Sequence, residues 1–155
     1  TYKSLELGYD PKIILSARSL NDTMANSICD HVISLAKRKK IKTEKSKVLI
    51  MGYTFKEDCP DHRNTKVKDL ALRLKKKVSK VEIYDPWISD LKSINLKVKF
   101  IKYPLKNSYD LIVIAVKHSA FKKIGINKIK SFGKKNCLIY DIKYLFNRSK
   151  IDGGL

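Results

Sequence analysis

The sequence predicts a doubly wound α/β fold: a Rossmann-like parallel sheet of order 3-2-1-4-5, preceded by one long α-helix. Three observations carry that expectation. Strand-like runs at 47–52, 81–85, 96–100, 109–116 and 137–142 alternate with helical patterns near 64–78, 87–94 and 119–131. The run "LIVIAV" at 111–116 is apolar on both faces, as a central parallel strand covered by helices must be. Right-handed βαβ crossovers then leave few arrangements open, and the doubly wound one fits the alternation.

Taken in order, "TYKSLEL" runs as helix, and Gly8 can end it. Asp10 can cap a second helix, with Pro11 in its first turn. That helix should reach about Lys40, since Ile13, Ala17, Leu20, Met24, Ile28, Val32 and Leu35 recur every three or four positions. A rod of roughly 45 Å outreaches a domain of this size. Its N-terminal half therefore requires a partner from outside the domain. On its polar flank Arg18 and Asn21 stand three apart, hence side by side. The polar run "KTEKS" leads into the first strand. Val67, Leu70, Ala71, Leu74 and Val78 stripe the following helix, and Asn64 or Thr65 can cap it. The helical pattern at 87–94 is short and weak.

With 155 residues, 43% of them hydrophobic, the chain can bury one proper core and is too short for two ordinary domains. The division expected is 1–44, holding the long helix, and 45–155, the α/β domain. Lysine and arginine number 34 against 15 acidic residues, a net charge of +19 that attracts polyanions. The cations are spread through every segment, as on solvated helix exteriors. Cys29, Cys59 and Cys137 are odd in number, far apart and in no metal-ligand spacing, so they read as reduced thiols of a cytoplasmic protein. No run approaches the roughly 20 apolar residues of a membrane span. Because Thr1 stands inside a helical pattern, the chain reads as part of a longer protein.

In the predicted order the sheet changes direction between its first and fourth strands, and loops leaving their C-terminal ends leave a crevice. The first loop opens "GYTFKEDCPDHRNTKVKDL", residues 52–70, where a nucleotide-binding fold usually places several glycines. Only Gly52 is present, which is weak support for an ordinary dinucleotide site. The loop carries Lys56, Asp61 and Arg63, while Lys117 and His118 follow the fourth strand and Asp141 and Lys143 the fifth. Lys56, Arg63, Lys143 and a helix N-terminus near Asn64 are expected to converge on one anion, with the geometry of a pyrophosphate. His118 is expected to hydrogen-bond loop backbone, Asp85 to sit in a "YDP" turn, Trp87 to enter the core, and Cys29 and Cys137 to be small buried residues. Two other readings stay open: a basic nucleic-acid-binding module, resting on the charge and on the Tyr and Lys interleaving of "FIKYPLKNSY" and "DIKYLF", and an interaction domain that kept the fold without the ligand.

The same stretch, with Thr-Phe-Lys followed by Asp-x-Arg and a small polar residue, resembles the start of the C-terminal domain of the UDP-glucose/GDP-mannose dehydrogenase family. "VEIYDPW", "AVKHSAF" and "YDIK" resemble its later strand ends in order, and "LGYDPKIILSARSLNDTM" resembles the central helix of the branch oxidising UDP-N-acetylhexosamines. The resemblance implies a four-electron oxidation of a sugar C6 alcohol to a carboxylate for polysaccharide precursors, using NAD twice, through a thiohemiacetal and thioester on a cysteine. It places that cysteine and the NAD-binding domain upstream of Thr1, so this chain would hold no catalytic residue and would supply the UDP-sugar half of the cleft. It implies that Phe55 and Lys56 contact the nucleotide sugar, that Lys143 is a cation near the UDP, and that Arg63 reaches the NAD phosphates. Arg18 would act on the sugar of the other subunit, in a homodimer formed through the long helix. Cys59 stands where the family commonly has a non-catalytic cysteine. One departure is "IDGGL", which puts Gly154 where chains of this branch often have arginine. The partners expected are therefore UDP-sugar, NAD and the N-terminal domain of the same chain, with no nucleic acid, membrane or metal.

Overall fold

The computed structural model describes residues 11–90 and 94–155, without the side chains of Arg18 and Asp22. Helix α1 (Lys12–Arg38) and a 3-10 turn at Thr43–Lys45 lead into strand β1 (Lys47–Met51). Then follow α2 (Val67–Lys75), β2 (Lys80–Tyr84), β3 (Lys99–Phe100), β4 (Tyr109–Ile114), α3 (Ser119–Ile124), α4 (Ile126–Lys130), β5 (Gly133–Asp141) and β6 (Gly153–Gly154). The sheet has the order β3-β2-β1-β4-β5-β6, with every pair parallel. The doubly wound arrangement expected from the sequence is thus present, with a sixth strand added.

Strand periodicity divides the core into two layers. On one face Val48, Ile50, Leu111, Val113 and Leu138 meet α1 through Ile28, Val32 and Ala36, and α2 through Leu70, Ala71 and Leu74. On the other face Leu49, Met51, Ile112, Ile114 and Ile139 meet Phe121, Ile129 and Phe132. In register, Ile50 of β1 faces Ile83 of β2 and Val113 of β4.

Several boundaries differ from the expectation for local reasons. Helix α2 starts at Val67 because Asn64 adopts a left-handed φ of 57°, which a helix cannot contain. Thr65 Oγ1 accepts the N–H of Val67 at 3.2 Å. The helical pattern at 119–131 is split into two helices by Gly125, whose φ is 79°. No helix forms among the described residues of 87–94; instead Asp85 Oδ1 accepts the N–H of Trp87 at 2.8 Å in a tight turn after Pro86. The strand expected at 96–100 shortens to Lys99–Phe100.

Helix α1 spans 27 residues, about 40 Å. Its second half is buried on the sheet, whereas Ile13 is 86% and Leu20 67% exposed. The helix expected at 1–7, its end at Gly8 and the cap at Asp10 lie outside the described residues. No helix among the described residues is long and apolar enough to cross a membrane.

The sixth strand is anchored by side chains rather than by its own composition. Asp152 Oδ2 accepts the N–H of Ile139 at 2.8 Å, and Asp152 Oδ1 lies 2.8 Å from Lys39 Nζ of the loop after α1. Two glycines carry no strand propensity, so the element has no local signature.

Candidate functional site

β1 and β4 end side by side, and Gly52 is required where they do. Its φ is 91°, and a Cβ there would stand 2.6 Å from Val116 Cβ and 2.9 Å from Val116 N. Beyond it the chain is tied to the residue that follows β2. Asp85 Oδ2 accepts the N–H groups of Tyr53 at 2.6 Å and Thr54 at 3.0 Å, and Thr54 Oγ1 donates to the carbonyl of Lys56 at 3.0 Å. The N–H of Phe55 reaches the carbonyl of Asp61 at 2.7 Å, which closes the loop on itself. Phe55 is left 62% exposed, and Lys56 is exposed beside it.

This loop forms one wall of a cleft of about 390 Å³. Lys56, Lys117 and Lys143 come to it from the ends of β1, β4 and β5. Met24, Ala25 and Ile28 of α1, with Val67, Leu70 and Ile142, give it an apolar part. A lining that combines lysines with apolar side chains suits an anion carrying an organic ring. The cleft thus brings together Lys56 and Lys143, as the order of the strands suggested, and Phe55, which only the resemblance had named.

Arg63 is not with them. It lines an adjoining depression of about 710 Å³ with Tyr53, His62 and Asn95. Its guanidinium grips Asp61 instead, with Nε 3.0 Å from Oδ1 and Nη2 2.9 Å from Oδ2. Side-chain and backbone hydrogen bonds from Arg63 hold the Asp61 carboxyl well below the ordinary carboxylate range. The expected convergence of Lys56, Arg63 and Lys143 on one anion is corrected accordingly: a carboxylate two residues away captures the arginine, and α2 begins at Val67, not near Asn64. The two hollows share Asn21, Thr65 and Lys66. Arg18 lies one turn before Asn21 on α1, with its side chain outside the described residues.

Behind the loop lies a buried polar cluster. His118 is fully buried at the N-terminus of α3. Its Nδ1 accepts the N–H of Asp58 at 3.0 Å, which assigns the ring proton to Nε2, 3.1 Å from both Asp85 Oδ2 and Thr54 Oγ1. Burial alone would raise the Asp85 pKa, but hydrogen bonds from His118, Tyr53 and Trp87 outweigh it and hold the pKa below its ordinary value. The loop-backbone role expected of His118 and the turn expected at Asp85 are both present. Trp87 departs from expectation, being 40% exposed rather than core, with its indole Nε1 donating to Asp58 Oδ1 at 3.2 Å.

Asp58 was not singled out in the sequence, although aspartate is among the few residues that tolerate its left-handed φ of 51°. Asp141, named as a crevice residue, is instead buried; its carboxylate accepts the N–H groups of Lys143 at 3.2 Å and Phe146 at 2.9 Å. Burial pushes its pKa up, with those bonds partly opposing the shift.

A dinucleotide fold places a ribose-binding acid after its second strand. Asp85 occupies that place, yet its oxygens already accept from Tyr53, Thr54, Trp87 and His118. Among the described residues no thiol lines the cleft. Cys29 is buried, Cys59 and Cys137 are half-buried, and burial pushes the Cys137 thiol up to about 12.

Residues 49–148 match the UDP binding domain of the UDP-glucose/GDP-mannose dehydrogenase family. Over 154 residues the chain is 42% identical to the UDP-N-acetyl-D-glucosamine 6-dehydrogenase of Salmonella typhi, covering 98% of this chain and 36% of that protein. It is 38% identical to the enzyme of the same description from Pseudomonas aeruginosa, again over 98% of this chain and 36% of the relative. The chain thus spans about a third of the length of the curated relatives it matches. Among solved structures, the NDP-N-acetyl-D-galactosaminuronic acid dehydrogenase of Methanosarcina mazei shares the fold, with a TM-score of 0.78 at 24% identity over 94% of this chain and 31% of that one. With the matched region, the strand order and the cleft at the strand ends in agreement, the chain belongs to the UDP-glucose/GDP-mannose dehydrogenase family.

Proposed function

We propose that this chain supplies the UDP-sugar-binding half of the active-site cleft in an NAD-dependent UDP-sugar 6-dehydrogenase, of the UDP-N-acetylhexosamine type. The observation that supports this reading most is the cleft itself, which Phe55, Lys56 and Lys143 line together with apolar residues of α1 and α2. Lys56 and Lys143 neutralise the diphosphate, and Phe55 offers an aromatic face to the nucleotide sugar. Arg63, exposed at the rim, extends toward the phosphates of NAD held by the upstream domain. Bound NAD would accept the hydride; the groups of this chain bind and orient the nucleotide sugar. Arg18 reaches the sugar of the other subunit in a homodimer formed through α1, whose apolar Ile13 and Leu20 stand exposed. The nucleophilic cysteine belongs to the upstream part of the parent enzyme. The parent enzyme works in the cytoplasm and makes uronic acid precursors of polysaccharide.

Calorimetric titration tests this reading, with UDP and a short oligonucleotide each added to the chain at low and physiological salt. UDP binding that keeps most of its strength in salt is expected. Oligonucleotide binding that collapses with salt while UDP gives no heat would instead favour a nucleic-acid module. The chain alone should produce no NADH from UDP-sugar and NAD. NADH production that survives thiol blocking would refute the half-site.

A further inference from the structure

Asp85 and His118 are buried, and both are polar. Burial of such groups is tolerated only when their hydrogen bonds are made, and here the partners are concentrated in one segment. Asp85 Oδ2 holds the N–H groups of Tyr53 and Thr54, His118 Nε2 lies against Thr54 Oγ1, and His118 Nδ1 holds the N–H of Asp58. The sheet does not need these contacts for its own alignment, because Met51 is already registered against Tyr84 on one side and Ile114 on the other. A second ring closes around Asp58, whose Oδ1 accepts from Trp87 Nε1 at 3.2 Å and from the N–H of Ser119 at 3.0 Å. Phe55 and Lys56 fall between the two clips and are exposed, as are Glu57 and Asp58 after them.

From this geometry we infer that Asp85 and His118 are positioning residues for the nucleotide-binding loop. They set the backbone of 53–58 before a ligand arrives, so that Phe55 and Lys56 already face the cleft. The inference rests on the UDP reading given above. Its physical content is preorganisation: a loop ordered in the free protein does not lose its conformational freedom on binding. Three elements take part, since Asp85 follows β2, His118 precedes α3 and the loop follows β1. Asp58 gives a further reason for a brace, because its left-handed φ of 51° is maintained by contacts at both its N–H and its carboxylate.

The test uses the full-length protein carrying this chain, with three variants: Asp85→Asn, His118→Leu and His118→Asn. Two quantities are measured, amide hydrogen exchange in the ligand-free protein and the Kd for UDP. Asp85→Asn and His118→Leu are expected to speed exchange through 53–58 while β4 and β5 stay protected, and to weaken UDP binding about tenfold. His118→Asn keeps an acceptor near the Nδ1 position, so it should recover part of both losses relative to His118→Leu. A residue that merely supports the fold would show neither the selective loop exchange nor that recovery. Lys56→Ala serves as a contrast, weakening UDP binding with no change in loop exchange. A UDP Kd within about twofold of the wild type in both disruptive variants overturns the proposal, as does exchange that rises equally in the core. If the buried variants do not fold, Trp87→Phe at its half-exposed site removes one donor to Asp58 and should give a smaller shift in the same two readouts; no shift in either refutes the brace. If the wild-type protein binds no UDP, the UDP reading falls by itself. The brace is then decided by exchange alone, supported by faster loop exchange in the variants and overturned by its absence.

Discussion

Arg63 is held by its own neighbour Asp61 through two parallel hydrogen bonds of 3.0 and 2.9 Å, with the arginine side chain 83% exposed. Exposed pairs of this kind contribute little to stability. The pair can open at small cost when a phosphate competes for the guanidinium, because a phosphate offers the same bidentate geometry with more charge.

In the full-length enzyme, Arg63→Ala should raise the KM for NAD by roughly tenfold to a hundredfold and leave that for the nucleotide sugar nearly unchanged. Lys56→Ala should do the reverse. Asp61→Asn, which loosens the grip on Arg63, should leave the NAD KM equal or lower. Steady-state kinetics with each substrate varied in turn checks all three. An Asp61→Asn enzyme as impaired as Arg63→Ala would mean that the arginine serves the loop rather than NAD.

At the opposite end of the sheet, Tyr109 Oη donates to the buried Glu82 carboxylate at 2.7 Å, across the intervening strand β1. Lys47 and Lys80 add contacts of 3.0 and 3.2 Å. Burial would raise the Glu82 pKa, but the hydrogen bonds from Tyr109, Lys47 and Lys80 outweigh it and leave the pKa below its ordinary 4.5. A depressed pKa stabilises the fold above the unfolded value, and that contribution is lost as pH falls through the folded one. Urea denaturation from neutral pH down through 4.5 should therefore show an acid-side loss of stability that Glu82→Gln diminishes. At neutral pH the same substitution should cost roughly 1–3 kcal/mol and Tyr109→Phe about 1 kcal/mol. A Glu82→Gln protein as stable as the wild type at neutral pH, with an unaltered acid slope, would contradict this account.

Gly154 answers the departure noted in "IDGGL". A Cβ at this position would stand 2.5 Å from the carbonyl oxygen of Asp141 and 2.7 Å from the Tyr144 ring. The first of these is backbone of the strand that delivers Lys143, so it cannot swing aside. Gly154→Arg should lower stability by roughly 1–3 kcal/mol and weaken UDP binding with it. At Gly153 the nearest atom is the flexible end of Leu35, at 2.7 Å, so Gly153→Ala should be milder. Thermal melts of the two variants beside a UDP titration decide it; an equal or greater loss at Gly153 would mean that the backbone contact at Gly154 is not limiting.

The order of the sheet and the location of the cleft were legible in the sequence because they depend on local periodicity and chain order. Val48 and Ile50 turn to one face and Leu49 and Met51 to the other, and every residue in that run is apolar, so β1 reads as a strand covered on both sides. The recurrence of Ile28, Val32 and Leu35 likewise marks a helix without reference to anything distant. Once the strands are ordered, their ends must bring Lys56, Lys117 and Lys143 together. Tertiary structure alone decided how the side chains around that cleft are occupied. Trp87 leaves the core for Asp58, 29 residues away, and His118 finds Asp85 at a separation of 33. Strand β6 forms from two glycines because Asp152 reaches Ile139 and Lys39. Contacts between residues so far apart leave no periodic trace in a chain, since they depend on where the completed fold places each polar group and on the requirement that a buried one be paired.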